Sequence, residues 1–149
     1  MNEEEWQQST DPRAMLAFVR GRIGRRKLLL LVCGCARLLR GLWRPRDGAL
    51  VRLGELHADL LIGSRKLSAY RRGYSAILFP VDMVLHSIRD IGSVSVSAVD
   101  EVFRRLLGSG IDLVNGWALA DLLRDLFNPI QTTERDPAWL AWNSGAAEH

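Results

Sequence analysis

Apolar residues recur at three- and four-residue spacing along most of the chain, and glycines and prolines cut that pattern into short segments. Glu3 to Gln8 is a short helix or a frayed arm. Asp11-Pro12 then starts a helix, because the carboxylate accepts orphan N–H groups and proline suits the first helical position. Ala14, Met15, Leu16, Phe18 and Val19 give it an apolar face up to Gly21. Residues 25–44, RRKLLLLVCGCARLLRGLWR, form a second helix that ends at Pro45, since the residue before proline resists helical dihedrals. Asp47 or Gly48 opens a third, with Leu50, Leu53, Leu56, His57, Leu60 and Leu61 on its stripe until Gly63. Ser64 caps a short basic helix reaching Arg72. Gly73 to Asp90 is another helix, which Pro80 either restarts or kinks.

Ile91 to Val96 alternates apolar and small polar residues, but with no partner strand it is an extended connector. Ser97-Ala-Val-Asp100 resembles a capping box and begins a helix to Leu107. After the GSG break at 108–110, Asp112 to Phe127 carries a stripe of Leu113, Trp117, Ala120, Leu123 and Phe127, stopped by Asn128-Pro129. A second Asp-Pro start at Asp136-Pro137 leads a short helix with Trp139, Leu140 and Trp142. Residues 143–149 are a loose tail. The fold class expected is all-α: one compact domain over residues 1–149, a bundle of about six to eight short helices, with residues 1–9 as the arm.

Composition supports a packed core: 48% of the 149 residues are hydrophobic and 25% are charged. The apolar run Leu28 to Ala36 is shorter than the roughly 20 residues a bilayer requires, so no membrane span is expected. The acidic opening MNEEEWQQ resembles no secretory signal. Two cysteines two positions apart make no disulfide framework, and a reducing, cytoplasmic setting is expected.

Charge changes the picture more. Residues 13–72 hold 15 Lys/Arg against 3 Asp/Glu, while residues 73–149 hold 5 against 10. Such segregation bears on partners rather than on fold. At about 100° per residue, Cys33, Arg37, Arg40 and Arg44 fall within about 40° of Arg26, opposite a leucine half. Three readings suit this arginine face. It is solvated or paired to acids from the C-terminal half; it meets an anionic partner such as nucleic acid; or it lies on a membrane surface. Arg71 and Arg72 extend it, and Trp43 and Tyr70 stand near for stacking. Helix-turn-helix spacing and RNA-module signatures are absent.

Other chemistry is sparse. Cys33 beside arginines would be a reactive thiol if exposed and an idle one if buried. The two cysteines cannot share a metal from one regular helix, since ligand pairs there need a spacing of three or four. Asp82, His86 and Asp90 recur every four residues, which gives weak metal candidates or ordinary carboxylate–imidazole pairs. Asp121 and Asp125 flank Arg124, which reads as a surface ion-pair cluster ahead of paired catalytic carboxylates. No phosphate-binding glycine loop, GxSxG, HExxH or CxxC occurs, so no cofactor and no catalytic residues are assigned.

Three stretches together resemble a family of uncharacterised bacterial proteins associated with planctomycete genomes. Thr10-Asp-Pro-Arg-Ala-Met-Leu-Ala-Phe-Val-Arg-Gly21 resembles its TDPxxMLxFLRG opening. Arg26 to Arg37 resembles its RKLRLFACACCR, with Ala36 in place of the third cysteine. Leu122 to Pro129 with Asp136 to Trp142 resembles its LLRDIFGNPF…DPAWLxW close. The resemblance implies a helical module and no reaction. The function expected is a non-catalytic helical module docking a protein partner. Nucleic acid is the alternative partner, and an enzyme or metal-binding protein is the third reading.

Overall fold

The computed structural model describes residues 1–60, 62–63, 65–66, 80–89, 94–111 and 114–127. Among these the chain forms seven α-helices and no strand. They are α1 (Glu3–Gln8), α2 (Pro12–Val19), α3 (Arg25–Leu38), α4 (Asp47–Ala58), α5 (Pro80–Arg89), α6 (Val96–Gly108) and α7 (Gly116–Leu126). One 3₁₀ turn, Arg20–Arg22, precedes α3, and another, Arg40–Leu42, follows it. The all-α bundle expected from the pattern is the fold observed. No helix among the described residues is long and apolar enough to cross a membrane.

Helix α3 is the axis of the bundle, packed against α4, α5 and α7, with α2 bridging α6 and α7. Leu28, Leu29, Leu31, Val32, Cys33, Cys35 and Ala36 are all buried. On a helical wheel they span about 200° of arc, far more than the stripe of roughly 100° that a surface helix shows. Two glycines permit that enclosure. A Cβ on Gly34 would lie 2.5 Å from Leu122 of α7, and one on Gly54 would lie 2.7 Å from Ile88 of α5 and 3.0 Å from the Cys33 sulfur.

The N-terminal segment is a docked helix. Asn2 and Glu5 form a capping box at α1, and Trp6 is fully buried, 6.0 Å from the Phe18 ring. Burying a side chain of that size contributes about 3 kcal/mol or more. Among the described residues the Trp6 indole N–H has no acceptor. Arg124 of α7 donates to the carbonyls of Trp6 and Ser9 and pairs with Asp121 at 2.5 Å, while Gly116 sits against the Thr10 carbonyl.

Several boundaries differ from the sequence reading. The basic helix stops at Leu38 rather than Pro45. Leu39 closes a 3₁₀ bond to Ala36, and the Trp43 indole N–H donates to the same Ala36 carbonyl at 2.8 Å, so a side chain satisfies the orphan end of α3. Helix α4 stops at Ala58; of the expected stripe Leu50 is buried and Leu53 packs against the core, and Val51, Gly54 and Ala58 complete the buried line. Leu60 is 87% exposed. The cap of α6 is Ser95, whose hydroxyl accepts from Ala98 N–H at 3.2 Å, two residues before the expected Ser97. Asn115 caps α7, so that helix starts four residues after Asp112. Its core line is Leu119, Ala120 and Leu123, which leaves Trp117 64% exposed. Leu113, Trp139, Trp142 and the tail lie outside the described residues.

Candidate functional site: the arginine face of the central helix

Helices α3 and α4 run antiparallel, and their polar edges meet in a ladder of ion pairs. Arg26, in the first turn of α3, reaches Asp59 just past the end of α4, with Nη2 at 2.5 Å and Nε at 3.1 Å from one carboxylate oxygen. Three turns on, Arg37 makes a planar fork on Glu55, Nε to Oε1 at 2.5 Å and Nη2 to Oε2 at 2.7 Å. The Glu55 carboxylate raises the pKa of Arg37. Arg44 donates to Asp82 of α5, and its Nε lies 3.7 Å from Asp47. Asp47 is fully buried, and its Oδ2 accepts the Arg44 backbone N–H at 2.7 Å, which fixes the turn into α4.

Three of the four arginines expected on this face are thus paired to carboxylates. The partners are a correction to the sequence reading. Asp47, Glu55 and Asp59 are the three acids of the basic block itself, and Asp82 alone comes from the C-terminal half. Because α3 ends at Leu38, Arg40 and Arg44 stand on the following turn and loop rather than on the same helix face. Arg40 is exposed and, among the described residues, takes no carboxylate. Leu42, two residues on, is half exposed. Arg46 is an exposed cation on the same α3–α4 corner, and Arg52 is an exposed cation farther along α4. Trp43 is half-buried against Gly48 with its N–H engaged, so it braces the corner. Tyr70, Arg71 and Arg72 lie outside the described residues.

Cys33 falls on the angular edge of the arginine face, but α4 seals it. Its thiol is 1% exposed and faces the Val51 carbonyl at 3.9 Å. Burial first, and the Glu55 charge second, push its pKa well up, against the opposing effect of Arg37. Burial likewise pushes Cys35 up to about 12. Both thiols are therefore neutral and shielded, the reverse of what a nucleophile requires. Of the Asp82/His86/Asp90 set, two members are described, both on α5. Asp82 is engaged by Arg44, His86 is exposed, and Asp90 lies outside the described residues. No group of three metal-ligating side chains comes together among the described residues. His57 is half-buried, with Nδ1 2.9 Å from the Ile62 carbonyl.

One constellation had no signal in the sequence. Arg13 of α2 forks onto Asp100 of α6 at 2.7 and 2.8 Å, joining residues 87 positions apart. Asp100 is held below the usual carboxylate range, first by that hydrogen bond. Beside the pair a cleft of about 260 Å³ opens between α2 and α6. The sequence pattern uses Asp100 in a local capping box, and nothing in the spacing of Arg13 points to it. No family model, curated protein or solved structure matches this chain.

Proposed function

We propose that the chain is a non-catalytic helical docking module that receives a protein partner at the α3–α4 corner. The observation that carries this reading is Leu42, half exposed between Arg40 and Arg46. An apolar anchor flanked by cations suits a partner segment with one large apolar side chain and acidic neighbours. The ion-pair ladder supports a protein over a polyanion. Arg26, Arg37 and Arg44 would have to leave their carboxylates to grip phosphates. Membership of the bacterial helical family is part of the same proposal, and it supplies an architecture without a reaction.

The test is site-specific photo-crosslinking from position 42 in the native host, compared with the same crosslinker at Arg52. A discrete protein adduct from position 42, lost with Arg40→Glu plus Arg46→Glu, is the expected result. Retention on immobilised RNA that falls steeply with salt and with the same two changes would transfer the corner to nucleic acid. Adducts from an unrelated surface with none from position 42 would place the docking site elsewhere.

A further inference from the structure

The cleft between α2 and α6 lies apart from the docking corner and has its own chemistry. Leu16, Ala17 and Val96 supply an apolar lining, and Arg13, Arg20, Ser97 and Asp100 supply the polar one. The two arginines and one carboxylate leave a net charge of +1. Arg13 and Asp100 neutralise each other through their fork, which also holds the two walls together. Arg20 is differently placed. It is exposed, and its Nη2 meets the Ser97 hydroxyl at 3.4 Å, the outer limit of a hydrogen bond. Its guanidinium therefore keeps most of its five donors for another acceptor. Ser97 adds a hydroxyl that turns to donate. The volume, about 260 Å³, is just below the 300 Å³ at which drug-sized sites begin, so the occupant is small.

We infer that this cleft binds a compact organic monoanion, a carboxylate head on a short apolar body. The carboxylate sits between Arg20 and the Ser97 hydroxyl, and the body lies along Leu16, Ala17 and Val96. A planar carboxylate matches the guanidinium fork, and the apolar lining distinguishes the ligand from an inorganic ion. The Arg13–Asp100 pair stays closed as the wall of the site.

Benzoate is the probe, titrated into the isotope-labelled full chain and followed by amide and arginine side-chain NMR. Inorganic phosphate provides charge without the body, and benzamide provides the body without charge. The expected result is saturable shifts at Ser97 and Arg20 with a dissociation constant of about 1 mM. Phosphate and benzamide should bind at least about tenfold more weakly, a difference of about 1.4 kcal/mol. Arg20→Gln should weaken benzoate about tenfold while the unfolding midpoint stays unchanged, and Ser97→Ala should weaken it severalfold. Benzamide binding as tightly as benzoate would overturn the inference, as would full affinity in Arg20→Gln or shifts confined to residues outside the cleft.

Discussion

Leu60 adopts a left-handed backbone, φ 60°, with 87% of its surface in water. A side chain there crowds its own carbonyl at a cost of roughly 1–2 kcal/mol, and glycine escapes it. Nothing is lost from the core in the exchange. Leu60→Gly should therefore stabilise the chain by about 0.5–1 kcal/mol, after the greater unfolded-state freedom of glycine is allowed for. Urea unfolding of the two forms measures it, and a lower midpoint would show that Leu60 makes a contact worth more than its strain. The sequence pattern placed Leu60 in the core because it kept the helical period, whereas the helix had already ended at Ala58. Trp117 misled in the same way. Its period is right, but α7 turns Leu119, Ala120 and Leu123 inward and leaves the indole outside. Periodicity finds an amphipathic helix more surely than it finds which neighbour covers which edge.

The helices themselves were legible because their starts carry chemistry: Asp11-Pro12 and the apolar spacing of α3 both appear where expected. The end of α3 was not legible, since a tryptophan seven residues from Ala36 satisfies it. Nor was the role of Gly54, whose value lies in what approaches it from α5 and α3. Gly54→Ala gains helix propensity, about 1 kcal/mol, but drives a methyl into the branched Ile88 side chain and the Cys33 sulfur. Overpacking of that kind costs typically 1–3 kcal/mol, so the net expectation is a loss of about 0–2 kcal/mol, centred near 1, read from denaturant midpoints. A gain in stability would mean that α5 can withdraw without penalty. Asp47 joins two elements through one buried carboxylate. Asp47→Ala leaves the Arg44 N–H without its acceptor and should cost about 2 kcal/mol. Asp47→Asn keeps an acceptor oxygen and should lose about half as much. Equal losses would assign the effect to charge alone.

At the scale of the molecule, the lopsided charge was legible and its neutralisation was not. The ladder depends on α3 and α4 being antiparallel neighbours, which no local pattern states. Exposed pairs of this kind contribute little each, about 0–1 kcal/mol, so they shape recognition more than stability. Titration behaviour also belongs to the whole fold. Glu101 is gripped by hydrogen bonds from Arg104 and Arg105 and held down to about 2, and Asp100 is lowered by Arg13. Carboxylates depressed in the folded state give stability that is present above their unfolded values and lost as pH falls from 4.5 towards about 2. The buried thiols act on the other flank. Above the ordinary thiol value of 9 the unfolded chain releases protons that the folded chain keeps until about 12 at Cys35, so stability falls as pH rises. The expected profile is a plateau between about pH 5 and 9 with a decline on each side, two carboxylates acting on the acid flank and two thiols on the alkaline one. Urea midpoints across pH 3–11 test it, and an alkaline limb with no slope would show that the thiols reach water.

Arg124 gives the fold a sense of time. It donates to the carbonyls of Trp6 and Ser9 across 118 and 115 residues of chain. During synthesis α1 leaves the ribosome long before α7 exists, and chains grow at only about 5–20 residues per second. For at least several seconds Trp6 is a hydrophobic anchor with no seat for its backbone, open to chaperones or to the wrong partner. Helix α1 is therefore made well before the helix that fastens it.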